Sequence, residues 1–285
     1  MLPRQGSGSR KSVLTIAFTV HKEGNLEYLT AGALSVGGAV HAFSTRHGGV
    51  SEGHLSSLNL GTHRGDRPEN VLENYRIWGN AVGFRPEDTV FTKQLHTDTV
   101  LRVGRADRGT GLFREQPAVC DGIITDEPNV ALVCFSADCT PILLYDPVRG
   151  AVGAVHAGWR GTAQGIARRA VEAMAREFGC QPADIRAAIG PCISRCCFET
   201  GPEVPEAMLA ALGREAQSAI EPHGEKFHVD LKALNRLHLL RAGVAVIDVS
   251  EDCTMCQPDR FWSHRASHGV RGSLAAVIMR REETP

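Results

Sequence analysis

From Ala39 to His156 the chain carries a succession of short, turn-bounded runs rich in Val, Ile and Leu. They fall at Ala39 to Ser44, Thr89 to Thr92, Thr99 to Val103, Gly122 to Thr125, Val130 to Phe135, Ile142 to Tyr145 and Ala151 to His156. Runs of this length suit strands, and strands packed this densely commit the first half of the chain to sheet. Two helical patterns are interleaved with or follow them. Pro68 to Ala81 opens with an Asp66-to-Glu69 spacing that reads as a capping box, and Thr162 to Phe178 alternates apolar and charged residues at helical period. A third helix is expected from near Asp230 to Arg241, with closing strands near Val244 to Val249 and Leu274 to Met279. Strands in succession as well as strands alternating with helices favour an α/β (α+β) fold of mixed sheets with helices outside, rather than a strict βαβ repeat.

No Pro/Ser-rich linker divides the chain, so residues 13–285 are expected to form a single domain behind a loose, disordered N-terminal tail at residues 1–12. With 285 residues, 42% of them hydrophobic, one large core is affordable without disulfides. Thirty-one basic residues against thirty-two acidic leave no polyanion footprint, so nucleic acid is not an expected partner. The longest apolar stretches, such as Ala187 to Ile193, fall far short of the roughly 20 residues that span a bilayer. The N-terminus is basic and small-residue-rich without a plausible cleavage site, which points to a cytoplasmic chain, and the nine cysteines are then expected as thiols or ligands. A monomer or small homo-oligomer is expected.

Three segments set a metal-capable side chain at the edge of a strand: Lys93-Gln94-Leu95-His96, Ser136-Ala137-Asp138-Cys139-Thr140-Pro141, and Val155-His156-Ala157-Gly158-Trp159-Arg160-Gly161. Two imidazoles and one thiolate form a borderline-soft donor set that suits Zn²⁺ with one open position, and copper as an alternative. Spacing alone is a weak signal for the triad His96, Cys139 and His156, because twelve histidines scatter along this chain. A lone His or Cys at a strand end is more often a packing residue.

A longer set of motifs resembles the laccase-domain purine nucleoside phosphorylase family, formerly named multicopper polyphenol oxidases. They are His41-Ala42-Phe43-Ser44-Thr45-Arg46, Gly48-Gly49-Val50-Ser51, Leu58-Asn59-Leu60-Gly61, Lys93 to His96, Cys120-Asp121-Gly122, Ala137 to Pro141, His156 to Gly161, Gly190-Pro191-Cys192-Ile193 and Asp252-Cys253-Thr254. The resemblance implies a layered α/β/β/α sandwich, a catalytic domain, and zinc held by His96, Cys139 and His156. It also implies phosphorolysis of adenosine, inosine, guanosine and methylthioadenosine, with adenosine deaminase activity. The rival readings are a copper-dependent polyphenol oxidase and a cysteine hydrolase acting in peptidoglycan precursor editing, with Cys139 as nucleophile. A multicopper centre commonly uses His-x-His pairs, and no two histidines here are so spaced.

Phosphate needs a cation, for which Arg46 and Arg160 are the candidates, each equally readable as a solvated surface arginine. Asn59 and Gln94 offer amides to a ribose or base, or else stabilise loops. Asp121 and Asp138 are candidate bases or partners that orient a ligand imidazole, with Asp138 directed away from the metal if strand alternation continues. Trp159 is a candidate to stack on a purine, against packing beside a Gly turn. Members of the family commonly end in Ser-Tyr-Arg-Arg followed by Gly-Arg. Here Ser263-His264-Arg265-Ala266 is followed by Arg271-Gly272-Ser273, so Arg265 keeps its place while a second arginine is missing or displaced. Cys192, Cys196 and Cys197 crowd one loop and Cys253-x-x-Cys256 another, where a structural metal or a disulfide competes with reduced, partly buried thiols.

Overall fold

Residues 18–115 and 118–282 are described by a computed structural model of the chain; the tail expected at 1–12 lies outside them. The first part runs β1 (Phe18–Glu23), β2 (Leu26–Ala31), β3 (Ala39–Ser44), α1 (Pro68–Val82), β4 (Thr89–Phe91), β5 (Val100–Arg102) and β6 (Gly122–Thr125). The middle follows with β7 (Ala131–Ser136), β8 (Thr140–Asp146), β9 (Ala151–Ala157), α2 (Trp159–Gln164), α3 (Ile166–Phe178) and β10 (Arg186–Ile189). The last part holds β11 (Glu199–Thr200), α4 (Glu203–Leu212), β12 (Ile220–His223), β13 (Lys226–Val229), α5 (Leu231–Arg241), β14 (Val246–Val249) and β15 (Leu274–Arg280).

Two six-stranded mixed sheets result, in the orders β1-β2-β3-β15-β7-β4 and β14-β10-β8-β9-β6-β5, with a small third sheet β11-β13-β12. Strand alternation sorts the apolar residues into layers. On β7, Leu132 and Cys134 face the space between the two large sheets, where they meet Leu143 and Tyr145 of β8 and Val152 and Ala154 of β9. The opposite residues Ala131 and Val133 pack against Val71, Tyr75 and Trp78 of α1. On the far side, Ile142, Leu144 and Val155 pack under Ile166, Ala170, Val171 and Met174 of α3. The α/β/β/α layering expected from the resemblance is present. β8 and β9 are covered on both faces, which is why their sequences read as continuous apolar runs.

Helix boundaries differ from the pattern in two places. The expected helix over 162–178 is two helices, because Gly165 adopts a left-handed backbone (φ 77°) between α2 and α3. The expected cap at Asp66 is not made, since Arg67 occupies the N-cap position without a side-chain cap bond. The Asp66 carboxylate instead accepts from Ser51, Asn59 and Asn70. At α5 the expectation holds: Asp230 is the N-cap and its side chain accepts from the Ala233 N–H.

The candidate metal centre and its cavity

Register brings the three distant segments together. The β8–β9 pairing sets Pro141 opposite His156 and Thr140 opposite Ala157, so Cys139, one residue before β8, lies at the His156 end of β9. The β6–β9 pairing sets Gly122 opposite Val155, and the His156 N–H donates to the Asp121 carbonyl at 2.7 Å. His156 follows Val152 and Ala154 by alternation, which turns its ring into the space between the sheets, where it is buried. His96 arrives on the turn after β4 with an unusual positive φ of 61°.

The Asp121 carboxylate organises this meeting. Fully buried, it accepts from the backbone N–H groups of Leu95, His96 and Thr97 and from the Thr97 hydroxyl. It also sits 2.8 Å from His156 Nδ1, which leaves Nε2 of that ring for a ligand. Burial alone would raise the carboxyl, but the His156 imidazole and the Thr97 donors hold it down at about 2. One side chain thus fixes the strained turn carrying His96 and the orientation of His156.

The donor atoms of His96, Cys139 and His156 all lie within 4.8 Å of one another. His96 Nε2 is 3.6 Å from Cys139 Sγ, and the two imidazole rings meet edge to face with centroids 5.0 Å apart. Burial disfavours the Cys139 thiolate, yet His156 and His96 pull its pKa down to about 6. Burial likewise opposes a charged His156, and Cys139 and Asp121 raise it to about 9. Gly158 completes the cradle. A Cβ at that position would run into His96 Cδ2 and would stand 2.9 Å from His96 Nε2 and 3.4 Å from Cys139 Sγ. Two imidazole nitrogens and one thiolate, converging with space kept between them, fit a single zinc or copper ion.

These residues form part of the wall of a cavity of about 810 Å³, within the usual range for a small-molecule site. Arg64, His264, Arg265 and Arg271 line it together with the triad, and Phe135 and Trp159 add apolar faces. Arg271 is largely buried, and burial beside Arg64 lowers its guanidinium to about 10. Its Nε has no hydrogen-bond partner among the described residues. Ala266 stands where the terminal motif carries its second arginine, and Arg271, five residues further along the chain, lines the cavity.

The other expected site residues divide. Gln94 and Arg265 line the cavity, as do Asp138 and Trp159. Gln94 nevertheless ties β4 to β7, accepting from the Phe135 N–H at 2.6 Å and donating to the Phe135 carbonyl at 3.0 Å. Asp138 orients no imidazole; it accepts from the Thr254 hydroxyl and the Arg265 N–H, at 2.6 and 2.7 Å. Arg46, Asn59 and Arg160 are not among the lining residues. Arg46 donates to the carbonyls of Pro258 and Ser56 and lies 3.7 Å from the Trp262 ring centroid, so its charge is committed elsewhere. Asn59 is fully buried and bonds to Gly61, Asp66 and the Ser273 N–H. Arg160 stacks on its neighbour Trp159 at 4.2 Å. Arg64 and Arg271 were not singled out as phosphate candidates; lone arginines on irregular loops carry no periodicity that would mark them.

The family described as multi-copper polyphenol oxidoreductase laccase matches residues 40–281. A protein named purine nucleoside phosphorylase YlmD from Geobacillus stearothermophilus is 41% identical over 261 residues, covering 90% of this chain and 95% of its own. Another of that name, from Bacillus subtilis, is 37% identical over 85% of this chain and 89% of its own. The crystal structure of the Geobacillus stearothermophilus YlmD superposes with a TM-score of 0.86 at 39% identity, over 92% of this chain and 99% of that one.

Proposed function

The chain belongs to the multi-copper polyphenol oxidoreductase laccase family, and from that premise we propose that it is a zinc-dependent purine nucleoside phosphorylase with adenosine deaminase as a second activity. The observation that carries the proposal is the placing of one His/Cys/His donor set together with Arg64, Arg265 and Arg271 on the walls of a single nucleoside-sized cavity. The relatives' names support the same substrate class. Zinc held by His96, Cys139 and His156 would supply a Lewis acid that activates an oxygen nucleophile.

The chain's own groups do the rest of the work. Arg64, Arg265 and Arg271 bind the phosphate dianion and hold it beside the ribose; guanidinium forks match its oxygens and offset its charge. In phosphorolysis a phosphate oxygen forms a bond to C1′ of the ribose while the bond from C1′ to the purine nitrogen breaks, the electron pair leaving with the base. Phe135 and Trp159 offer the apolar faces against which a purine is sequestered from water. Burial and the neighbouring Arg271 lower the His264 pKa, which favours the neutral ring, able to donate or accept a hydrogen bond. A polyphenol oxidase is less well supported, because the cluster at this cavity offers two imidazoles and a thiolate to one ion.

One observation favours a second reading. Cys139, His156 and Asp121 are arranged as thiolate, imidazole and orienting carboxylate, the order a cysteine hydrolase uses. Products and metal content separate the two. Purified protein incubated with adenosine and phosphate is expected to yield adenine and ribose 1-phosphate, with none formed when phosphate is omitted. Activity that survives complete metal removal would overturn the phosphorylase reading in favour of the hydrolase, and an active His156→Ala protein would overturn both, since His156 is a metal ligand in one and the base in the other.

A further inference from the structure

A second group of metal-capable side chains lies apart from the donor set at the cavity. β10 and β14 pair in parallel, so the loops that follow them leave the sheet at the same end, tied by an isolated bridge between Cys192 and Cys253. The first loop carries Cys196 and Cys197 and the second Cys253 and Cys256, and the four sulfurs all lie within 4.8 Å of one another. Cys197 Sγ is 3.3 Å from Cys256 Sγ, and Cys196 Sγ is 3.6 Å from both Cys197 Sγ and Cys256 Sγ. We propose that Cys196, Cys197, Cys253 and Cys256 form a tetrathiolate site for a structural zinc ion.

The distances discriminate among the alternatives. A zinc–sulfur bond of about 2.3 Å in a regular tetrahedron gives sulfur–sulfur edges of about 3.8 Å, whereas a disulfide is about 2.05 Å. All four cysteines are free. Nor does apolar packing explain the gathering. Cys196 and Cys256 are exposed and Cys197 is half-buried, so most of the cluster removes little thiol surface from water. Four thiols contributed by loops some sixty residues apart, two of them exposed, converge to the spacing of a tetrahedral donor set. Backbone donors add to the fit. The Ser194 N–H points at Cys253 Sγ over 3.3 Å. Such N–H donors offset the negative charge that a tetrathiolate carries.

With four protein ligands the site has no open position, which makes its role structural. What it would hold is the cavity wall. Ile193 and Phe198 flank the first cysteine pair and line the cavity, and Arg265 donates to the Glu199 carbonyl at 3.1 Å. Thr254, between the second pair, bonds to Asp138, which in turn accepts from the Arg265 N–H. Lys232 already stitches the two loops from behind, donating to Ser194 Oγ and to the carbonyls of Ser250 and Asp252. A zinc ion at the four sulfurs would fix the same loops from the exposed side.

The proposal does not depend on the function assigned to the cavity, and its test separates the two. The His156→Ala protein, lacking one cavity ligand, is dialysed against a weak chelator and its zinc measured by elemental analysis. About one zinc per chain is expected to remain, with four sulfur neighbours by X-ray absorption. Cobalt loading of the same protein is expected to give the intense sulfur-to-cobalt charge-transfer bands of a tetrathiolate. Adding Cys197→Ser and Cys256→Ser should remove that metal and those bands. A metal-free His156→Ala protein, a site with nitrogen or oxygen ligands, or a disulfide among the four under reducing conditions would overturn the proposal. If the cysteine variants do not fold, the absorption measurement on His156→Ala alone still decides it.

Discussion

Replacing Asp121 by Asn probes the organising carboxylate with almost no change in shape. The native carboxyl is held at about 2 against an ordinary 3.8; at about 1.4 kcal/mol per pH unit, the fold prefers the ionised form by about 2 kcal/mol. An amide retains one acceptor oxygen and sets an NH₂ toward groups that themselves donate, leaving part-buried N–H groups of the turn at 95–97 unpaired. Each unpaired donor costs about 1–3 kcal/mol. The metal-free variant should therefore lose about 2–4 kcal/mol in urea unfolding. Its zinc affinity, measured by competition with a chromogenic chelator, should fall by about 10- to 100-fold, because both His96 and His156 lose their orientation. The pH dependence has a definite sign. A depressed carboxyl contributes its stability above pH 4 and loses it as pH falls through about 2. The native protein should show that acid loss and the variant should lack it. Zinc affinity within about twofold of native, with unchanged stability, would refute the role given to Asp121.

Gly158→Ala is conformationally permitted at φ −67° and ψ 170°, so it tests the cradle by sterics alone. Cavity-site zinc affinity should fall by about tenfold or more while the unfolding midpoint of the metal-free protein barely moves. In metal-free protein, iodoacetamide should alkylate Cys139 with a rate that rises as pH passes through about 6 and then levels, as peptide mapping would show. His156→Ala should move that midpoint upward. Arg271→Met should lower kcat/KM for phosphate by about 10- to 100-fold in initial-rate assays, the range for losing a charged hydrogen bond, with a smaller change for the nucleoside.

What the sequence disclosed follows from what each segment buries. β8 and β9 are covered on both faces and read as unbroken apolar runs, whereas β1, with Thr19, Val20, Lys22 and Glu23 exposed, shows no pattern from which a strand could be read. α4 went unseen because Pro205 in its first turn reads as a breaker, although proline is tolerated there. The split at Gly165 depends on a backbone angle that side-chain periodicity does not encode. In the site, His96, Cys139 and His156 were legible through dense local motifs. Arg64 and Arg271 were not, since they reach the cavity only through loop geometry. Arg46 and Asn59 stand in equally dense motifs, but their side chains hold the 46–61 loop to segments 257–273. A motif marks a demanding environment without saying whether the demand is chemistry or packing. Cys253-x-x-Cys256 has no second such pair along the sequence, and the parallel β10–β14 pairing is what brings Cys196 and Cys197 to it.

The most direct test of the central claim is anomalous diffraction at the zinc absorption edge from crystals that turn over adenosine and phosphate. The account predicts an anomalous peak about 2.0–2.1 Å from His96 Nε2 and His156 Nε2 and about 2.3 Å from Cys139 Sγ. Active crystals with no metal bound by these three side chains would contradict it.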